Sequence, residues 1–438
     1  MTKKEFICRR LALLKKMEPS SIILIFSAPI VIRSNDSAYP YRQNSDFWYL
    51  TGFNEPGAMF GLIKDSNNYH KSLLFNQSYN QHAHIWGENH IGQEAARIKI
   101  AVDYALPWEQ INDHLYLFIN GLKTIYHVKG QYYFADQILI TALEKLRQGQ
   151  YNNLSVPKFV LDWRPLVHEL RLIKSSSEIN LLRQAGRISA LGHMRALKNL
   201  LNGMYEYQIE GEIQYEFSHY GARWPAYNTI IAAGENSCIL HYTDNSSLIE
   251  NGKLVLIDAG CEFQGYAGDI SRTFPVNGVF NTPQRFIYNA VLDALMLALT
   301  LYRPGTNIST VTKEVINLLV HRLVQLKIMK GNIQALIRDK AIKQFFMHRL
   351  SHWIGLDVHD SDYYSKDENR ILEPGMVLTI EPGLYITSNS HAPSEYHGIG
   401  VRIEDTILIT SNGNENLTSI AVKNIDEIES FMLNRKEL

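Results

Sequence analysis

The chain has 438 residues, a formal net charge of −1 and a sequence pI near 7.0. This length is too great for one ordinary hydrophobic core and is sufficient for two or three. The charge balance excludes the basic footprint of nucleic-acid or anionic-membrane binding, and the 45% of hydrophobic residues excludes a disordered chain.

The cysteines and the N-terminus limit the cellular context. Cys8, Cys238 and Cys261 are too scattered for a disulfide framework or a CxxC zinc site, and they suit a reducing compartment. The most apolar segment, 21–32, is short and contains a proline, which predicts a buried strand rather than a membrane span. Charges occupy the N-terminal positions where a secretory signal needs an apolar region. We therefore expect a cytoplasmic protein with no membrane partner.

The first part of the chain alternates helical and strand-like patterns. An amphipathic helix is predicted near the N-terminus, with Phe6, Leu11, Leu13 and Leu14 toward a core. Three strand-like runs and a further helical pattern follow, at 22–26, 60–63, 72–75 and 138–146. This alternation predicts an N-terminal α/β domain over residues 1–172.

A second domain is predicted over residues 173–438. Ser175 and Glu178 have the spacing of a capping box, and the helical period after them continues toward a stop at Asn202. Further helices and strands are predicted along this part, at 206–219, 254–258, 266–274, 282–302 and 308–328.

Two aspartates flank a predicted hairpin. Asp258 ends an apolar strand, where a carboxylate without a partner is unfavourable. A hairpin that turns around Phe263 and Gln264 places Asp258 directly opposite Asp269, with Cβ atoms about 4.5–5.5 Å apart. Carboxylates at that distance repel each other unless a cation lies between them. The alternative is that one aspartate caps a turn while the other is solvated, and the pair alone favours this alternative.

Three histidines lie in a stretch rich in aromatic residues, at His348, His352 and His359. Any single one is explained better as a core histidine that is bonded to backbone carbonyls. His348 and His352 have the i, i+4 spacing of a helical zinc pair. Arg349, however, stands where that zinc-protease motif requires glutamate, which excludes the motif.

Two glutamates complete an acidic set. Glu381 ends an apolar run before a Pro-Gly pair, and Glu404 lies within another apolar run. An ordinary turn for Glu381 and a salt bridge of Glu404 with Arg402 are the simpler alternatives. The four acids together balance two divalent cations, and unit charges about 4 Å apart interact by about 4 kcal/mol at an effective dielectric of 20. Oxygen ligands with one imidazole fit Mn²⁺, with Zn²⁺, Co²⁺ or Fe²⁺ as alternatives.

These motifs, in this order, resemble the Xaa-Pro aminopeptidases of the pita-bread metallopeptidases, a group that also includes prolidase. The resemblance covers nearly the whole chain and includes the segments 39–53 (YPYRQNSDFWYLTGF) and 238–243 (CILHYT). It implies an α+β pita-bread catalytic domain after the α/β domain. The implied reaction releases the N-terminal residue from peptides with proline second, by attack of a hydroxide bound to two metal ions.

The resemblance also implies a role for each site residue. The metal ligands are five side chains, Asp258, Asp269, His352, Glu381 and Glu404, of which Asp269 and Glu404 bridge both ions. The catalytic residues are Glu381, which moves a proton, and the hydrogen-bond donors His241 and His359. The implied substrate-binding residues are His348, Tyr385, Arg402, Trp86 and Asp36. A homo-oligomer, dimer or tetramer, is implied as well, with the N-terminal domain serving in assembly and as a lid.

Several alternatives remain open from the sequence. A prolidase would share the metal set but cleave only dipeptides, and a non-catalytic relative would bind peptides without cleaving them. Buried salt bridges could replace the metals altogether. Trp86 and Asp36 could be ordinary surface-loop residues. Arg349 stands beside His348 where the relatives carry glycine, so the substrate range is open.

Overall fold

The structure is a computed structural model that describes residues 1–81, 85, 90–361 and 368–434. It divides into two compact units, Met1–Leu170 and Arg171–Leu438. Among the described residues, no helix combines the length and the apolar character needed to cross a lipid bilayer.

The first unit alternates helices and strands. Its helices are α1 (Lys3–Lys16), α2 (Ser45–Thr51), α3 (Gly92–Ile100), α4 (Ile111–Ile119) and α5 (Tyr133–Gln148), and α6 (Arg164–Leu172) follows at the boundary. Its strands are β1 (Ser21–Phe26), β2 (Ile32–Ser34), β3 (Ser37–Ala38), β4 (Met59–Lys64), β5 (His70–Asn76), β6 (Tyr104–Pro107), β7 (Thr124–Tyr126) and β8 (Phe159–Leu161). The predicted strands and helices of this part are therefore confirmed.

Six strands of the first unit form one mixed sheet in the order β6-β5-β4-β1-β7-β8. The central strand β1 runs antiparallel to β4 and parallel to β7. Alternate side chains of β1, Ile22 and Leu24, pack in one core with Leu115 of α4 and Leu139 of α5. This arrangement buries one face of each helix against the sheet.

Helix α1 corrects one sequence prediction. Phe6, Leu13 and Leu14 are buried as expected, whereas Leu11 is 42% exposed. The buried stripe instead includes Arg9 and Arg10, which continue the 3.6-residue period from Phe6 that Leu11 does not follow. The Arg9 guanidinium lies 4.1 Å from the ring centre of Tyr49, so a cation–π contact replaces the expected apolar one.

The second unit contains longer helices and several small sheets. Its helices are α7 (Ser176–Asn199), α8 (Glu206–His219), α9 (Thr282–Leu301), α10 (Ile308–Gln325), α11 (Ile333–Arg338) and α12 (Ile425–Asn434). Its strands are β9 (Trp224–Pro225), β10 (Ile230–Ala233), β11 (Leu254–Asp258), β12 (Cys261–Phe263), β13 (Tyr266–Ala267), β14 (Ser271–Pro275), β15 (Val377–Ile380), β16 (Gly383–Ile386), β17 (Ile399–Arg402), β18 (Asp405–Ile409) and β19 (Asn414–Asn416). The sheets pair β10-β11-β14, β13-β12-β9, β15-β18-β19 and β16-β17.

Helix α7 begins at the predicted capping box. The Ser175 hydroxyl accepts a hydrogen bond from the Glu178 N–H at 3.3 Å, and the Glu178 carboxylate accepts one from the Ser175 N–H at 2.9 Å. The Tyr266 hydroxyl also donates to Glu178, at 2.9 Å. The start of the helix is therefore tied to the hairpin that carries the two aspartates.

The hairpin has a different register from the one that the sequence predicts. The turn lies at Gln264 and Gly265, which have φ angles of 50° and 88°, and not at Phe263 and Gln264. Asp258 is consequently opposite Ser271 rather than Asp269. The predicted strand 266–274 is also interrupted, because β13 ends at Ala267 and β14 begins at Ser271. Asp269 lies in this interruption, two residues from Ser271.

Candidate metal centre

Four acidic side chains meet where strands of the second unit end. Asp258 is the last residue of β11, Asp269 lies between β13 and β14, Glu381 follows β15, and Glu404 separates β17 from β18. All four line one cavity of about 710 Å³ together with His352. The structure thus brings together residues that lie far apart in the chain.

A tyrosine that the sequence analysis missed links the two aspartates. The Tyr227 hydroxyl lies 2.5 Å from Oδ1 of Asp258 and 2.7 Å from Oδ1 of Asp269. Burial and the charges of both aspartates raise the pKa of Tyr227 well above its ordinary value, so the hydroxyl keeps its proton. One proton serves two acceptors, and it holds the carboxylates near each other even though they are not paired across the hairpin.

Arg402 orders the other side of the aspartates. Its Nη2 donates to Oδ2 of Asp258 at 2.6 Å, and its Nε donates to the Ser271 hydroxyl at 2.9 Å. Ser271 in turn donates to Oε2 of Glu404 at 2.7 Å. Burial acts against the charge of Arg402, but Tyr385, Asp258 and Glu404 outweigh it and hold the pKa of Arg402 above its usual range. In place of the direct Arg402–Glu404 salt bridge considered from the sequence, Arg402 contacts Asp258 directly and is linked to Glu404 through the Ser271 hydroxyl.

His352 faces the acids through one nitrogen and the backbone through the other. Its Nε2 lies 3.3 Å from Oδ2 of Asp269 and 3.5 Å from Oε1 of Glu381, and its Nδ1 lies 3.1 Å from the Trp353 carbonyl oxygen. Ligand atoms of Asp269, His352 and Glu404 all lie within 4.8 Å of one another. A carbonyl that accepts from Nδ1 leaves Nε2 free to bind a metal ion, which is the usual arrangement of a histidine ligand.

The electrostatics of the acids fit a bound cation. Burial raises the pKa of Glu381 to about 7. Burial and the charges of Asp269, Glu381 and Asp258 also drive the pKa of Glu404 well above its ordinary value. Hydrogen bonding to Asp269 and the charge of Glu381 outweigh burial and raise the pKa of His352 to about 9. The clustered carboxylates therefore stabilise a nearby positive charge. A divalent cation supplies that charge and binds oxygen and imidazole ligands of this kind.

His348 belongs to a directional chain of hydrogen bonds. Nη1 of Arg402 donates to the Tyr385 hydroxyl at 2.9 Å, and that hydroxyl lies 2.8 Å from Nε2 of His348. Nδ1 of His348 lies 2.8 Å from the Arg349 carbonyl oxygen. Burial and the charge of Arg402 lower the pKa of His348 to about 4, so the ring is neutral. Both of its nitrogens are engaged, and no helix contains residues 346–352.

The remaining predicted residues fall into three groups. His241 and His359 line the cavity, and the His359 ring packs edge-on to His352 with centroids 4.5 Å apart. Asp36 is exposed in the turn between β2 and β3 of the first unit. Trp86 lies outside the described residues. Their roles stay predictions.

Arg349 lines the cavity beside His348. Its Nε lies 3.8 Å from Oε1 of Glu368, and the two side chains are 48% and 40% exposed. The Arg349 guanidinium thus lies near an acidic side chain while Arg349 also lines the cavity.

Comparisons with known proteins cover the whole chain. A family model for "Metallopeptidase family M24" matches residues 180–411, and one for "Aminopeptidase P, N-terminal domain" matches residues 6–126. The Xaa-Pro aminopeptidase of Escherichia coli is 55% identical over 433 residues, which are 99% of this chain and 98% of that protein.

Solved structures agree with these matches. Proline aminopeptidase P II from Yersinia pestis superposes with a TM-score of 0.97 at 57% identity, covering 99% of this chain and 100% of that chain. Aminopeptidase P from Escherichia coli with the inhibitor Pro-Leu gives 0.97 at 54% identity, covering all of both chains.

The chain belongs to metallopeptidase family M24. Within that family, the proteins that match it over their full length are Xaa-Pro aminopeptidases, which supports this interpretation over prolidase. The predicted fold class, an α/β N-terminal domain followed by a pita-bread catalytic domain, is confirmed.

Proposed function

We propose that this protein releases the N-terminal residue from peptides that carry proline at the second position. Two divalent metal ions are held by Asp258, Asp269, His352, Glu381 and Glu404. The convergence of these five side chains on one cavity is the observation that supports the proposal most. When bound, such ions lower the pKa of a water molecule and polarise a carbonyl group.

Glu381 carries out the proton transfers. Its carboxylate faces the cavity with oxygens 3.5 Å from both His352 and His348. A carboxylate in this position accepts the proton of the attacking water and passes it to the departing nitrogen. Tyr227 and Arg402 keep Asp258 in place meanwhile, so the site needs little reorganisation during the reaction.

His241 and His359 serve as hydrogen-bond donors to the carbonyl oxygen of the first residue. Both line the cavity. Burial and the neighbouring His352 lower the pKa of His359, so a neutral ring is present near neutrality and donates through one N–H. Donors placed where negative charge develops account for a large share of catalysis in acyl transfer.

Selection of proline at the second position depends on its ring and on its missing N–H group. Its nitrogen carries no N–H and its ring fixes φ, so a peptidase cannot hold it through a hydrogen bond donated by that nitrogen. His348, whose nitrogens are both engaged, offers ring carbon atoms as an apolar wall. Tyr385 and Arg402 fix the orientation of that ring.

Five further properties are proposed, the metal from the ligand chemistry, the compartment from the sequence and the other three from the family resemblance. Mn²⁺ is the metal, with Zn²⁺, Co²⁺ or Fe²⁺ as alternatives. The protein works in the cytoplasm as a dimer or tetramer. Its N-terminal domain serves in assembly and as a lid, and Trp86 and Asp36 contact the substrate.

A peptide panel tests the activity. The protein is dialysed against a chelator, reloaded with Mn²⁺, Zn²⁺, Co²⁺ or Fe²⁺, and given an Xaa-Pro-Xaa tripeptide, an Xaa-Pro dipeptide and Met-Ala-Ser. We expect metal-dependent release of the first residue from the Xaa-Pro-Xaa peptide, fastest with Mn²⁺. Cleavage of the dipeptide alone would establish a prolidase, and no cleavage of any peptide would refute the proposal.

A further inference from the structure

The segment that carries three site histidines has little regular structure of its own. Residues 346–361 contain no helix or strand, and a single bridge joins Trp353 to Leu378. His352 and His359 nevertheless pack with their ring centroids 4.5 Å apart. A catalytic geometry of this kind needs positions fixed to within about 0.5 Å. Contacts outside the segment must therefore hold it.

Asp360, the residue after His359, is a buried anchor. Its side chain is 1% exposed and accepts from Nη2 of Arg171 and from Nζ of Lys174, the latter at 3.2 Å. Arg171 and Lys174 are themselves 3% and 1% exposed. Charges so far from water are stable only when they are paired, so the pairs with Arg171 and Lys174 constrain the Asp360 side chain.

The anchor reaches His352 through the backbone. The Asp360 N–H donates to the Trp353 carbonyl oxygen at 2.9 Å, and Nδ1 of His352 lies 3.1 Å from the same oxygen. Gly355 lies against the anchor, because a Cβ at that position would overlap Oδ2 of Asp360. The anchor thus fixes the carbonyl that sets the tautomer and ring orientation of His352.

We propose that Asp360, held by Arg171 and Lys174, is a positioning residue for both histidines. It holds His359 toward the substrate carbonyl and aims Nε2 of His352 at the acids. It acts through those rings and neither accepts a proton nor touches the reacting atoms. The His359 part of the proposal rests on the proposed function, whereas the His352 part rests on metal binding alone.

The Asp360→Asn variant tests the His359 part. The amide keeps the size of the side chain but removes the charge that Arg171 and Lys174 need. We expect kcat for an Xaa-Pro-Xaa peptide to fall about 10- to 100-fold, as with other residues that orient a catalytic side chain, while KM changes less. Measured with Mn²⁺ at concentrations that saturate each variant, the same substitution in a His359→Ala background costs under about threefold, because the positioned ring is absent. Equal losses in both backgrounds would overturn this part.

Metal affinity tests the His352 part without any substrate. Calorimetric titration of the chelator-treated protein with Mn²⁺ is expected to show about tenfold weaker binding for Asp360→Asn. The matched control is Asp357→Asn, which removes the other, 42% exposed carboxylate partner of Arg171 and leaves Asp360 in place. We expect the control to bind Mn²⁺ within twofold of the original protein. An unchanged affinity for Asp360→Asn contradicts this part.

A second variant covers the case in which Asp360→Asn does not fold. Lys174→Met removes one cation with a side chain of similar length, and the Arg171–Asp360 pair remains. Its loss in kcat is expected to be about 3- to 10-fold and again to shrink in the His359→Ala background. If Lys174→Met lowers kcat by the same factor with and without His359→Ala, the result contradicts the proposal. If the original protein cleaves no peptide, the proposed function fails, and the Mn²⁺ titrations still decide whether Asp360 orients His352.

Discussion

A single hydroxyl proton lies between two carboxylates at the centre of the site. Tyr227 is 2.5 Å and 2.7 Å from the nearest oxygens of Asp258 and Asp269. The sequence analysis missed this residue because it belongs to no periodic pattern. Its position nevertheless allows two acids on different parts of the hairpin to share one face of the cavity.

Substituting Tyr227→Phe tests this role. In the chelator-treated protein we expect the free energy of unfolding to fall by about 1–3 kcal/mol, because both carboxylates lose a hydrogen bond. With saturating Mn²⁺ the loss should be smaller, since the ions then relieve the repulsion. Denaturant unfolding with and without Mn²⁺ measures both values. An identical loss in the two states contradicts the role.

We expect Arg349 to set a preference for the charge of the substrate at the cavity. Its ion pair with Glu368 is half-exposed and contributes about 0–1 kcal/mol to stability, so Arg349→Gly should leave the melting temperature nearly unchanged. The guanidinium should favour Xaa-Pro-Asp over Xaa-Pro-Lys peptides. We expect the ratio of their kcat/KM values to fall about two- to fivefold in the glycine variant at low salt.

The control for that prediction is Arg349→Lys, which keeps the charge. Its ratio should stay near that of the original protein. If the glycine variant also keeps the ratio, Arg349 does not select substrates.

At the scale of elements, helix α7 is joined to the end of strand β11 by a buried histidine. His193 is fully buried, and its Nε2 lies 3.0 Å from the carbonyl oxygen of Ala259. Burial and the charge of Arg272 lower the pKa of His193 to about 4. The neutral His193 ring therefore links helix α7 to the residue that follows strand β11.

This joint predicts a pH dependence of stability. The unfolded imidazole binds a proton near pH 6.5 and the folded one only near pH 4, so stability is lost as pH falls between these values. Between pH 7 and pH 5 the original protein should lose about 2 kcal/mol through this group. The free energy of unfolding of the His193→Gln variant should fall by about 2 kcal/mol less than that of the original protein over the same pH range, because glutamine does not titrate. Denaturant unfolding of chelator-treated samples at pH 7 and pH 5 measures both free energies. If the original protein and the variant lose the same stability between these pH values, the prediction is wrong.

Local signals in the sequence predict the elements well. The capping box at Ser175 and the helix over 206–219 are confirmed because neighbouring residues determine them. The predicted hairpin register is wrong by two residues, since Asp258 is opposite Ser271 and not Asp269. The positive φ angles of Gln264 and Gly265, which place the turn, cannot be read from hydrophobic alternation. The meeting of four acids follows from tertiary packing. Their placement in apolar strands and their charge balance with two divalent cations indicate it in the sequence, and the resemblance to a known family predicts it residue by residue.

At the scale of the whole molecule, metal binding is coupled to folding. Ions that bind the folded chain and not the unfolded one stabilise it, by about 2.7 kcal/mol at a concentration one hundred times Kd. We expect Mn²⁺ to raise the melting temperature of the chelator-treated protein in a concentration-dependent way. His352→Ala should abolish most of the shift. A shift that survives this substitution places the stabilising ion elsewhere.

The proposed metal ligands are spread along the chain from Asp258 to Glu404. A polypeptide still being synthesised therefore lacks one of these side chains until Glu404 has emerged from the ribosome. If the proposed ligand set is right, the ions are acquired only after that whole span has been made, and a product of premature termination before Glu404 is released without all of the proposed ligands.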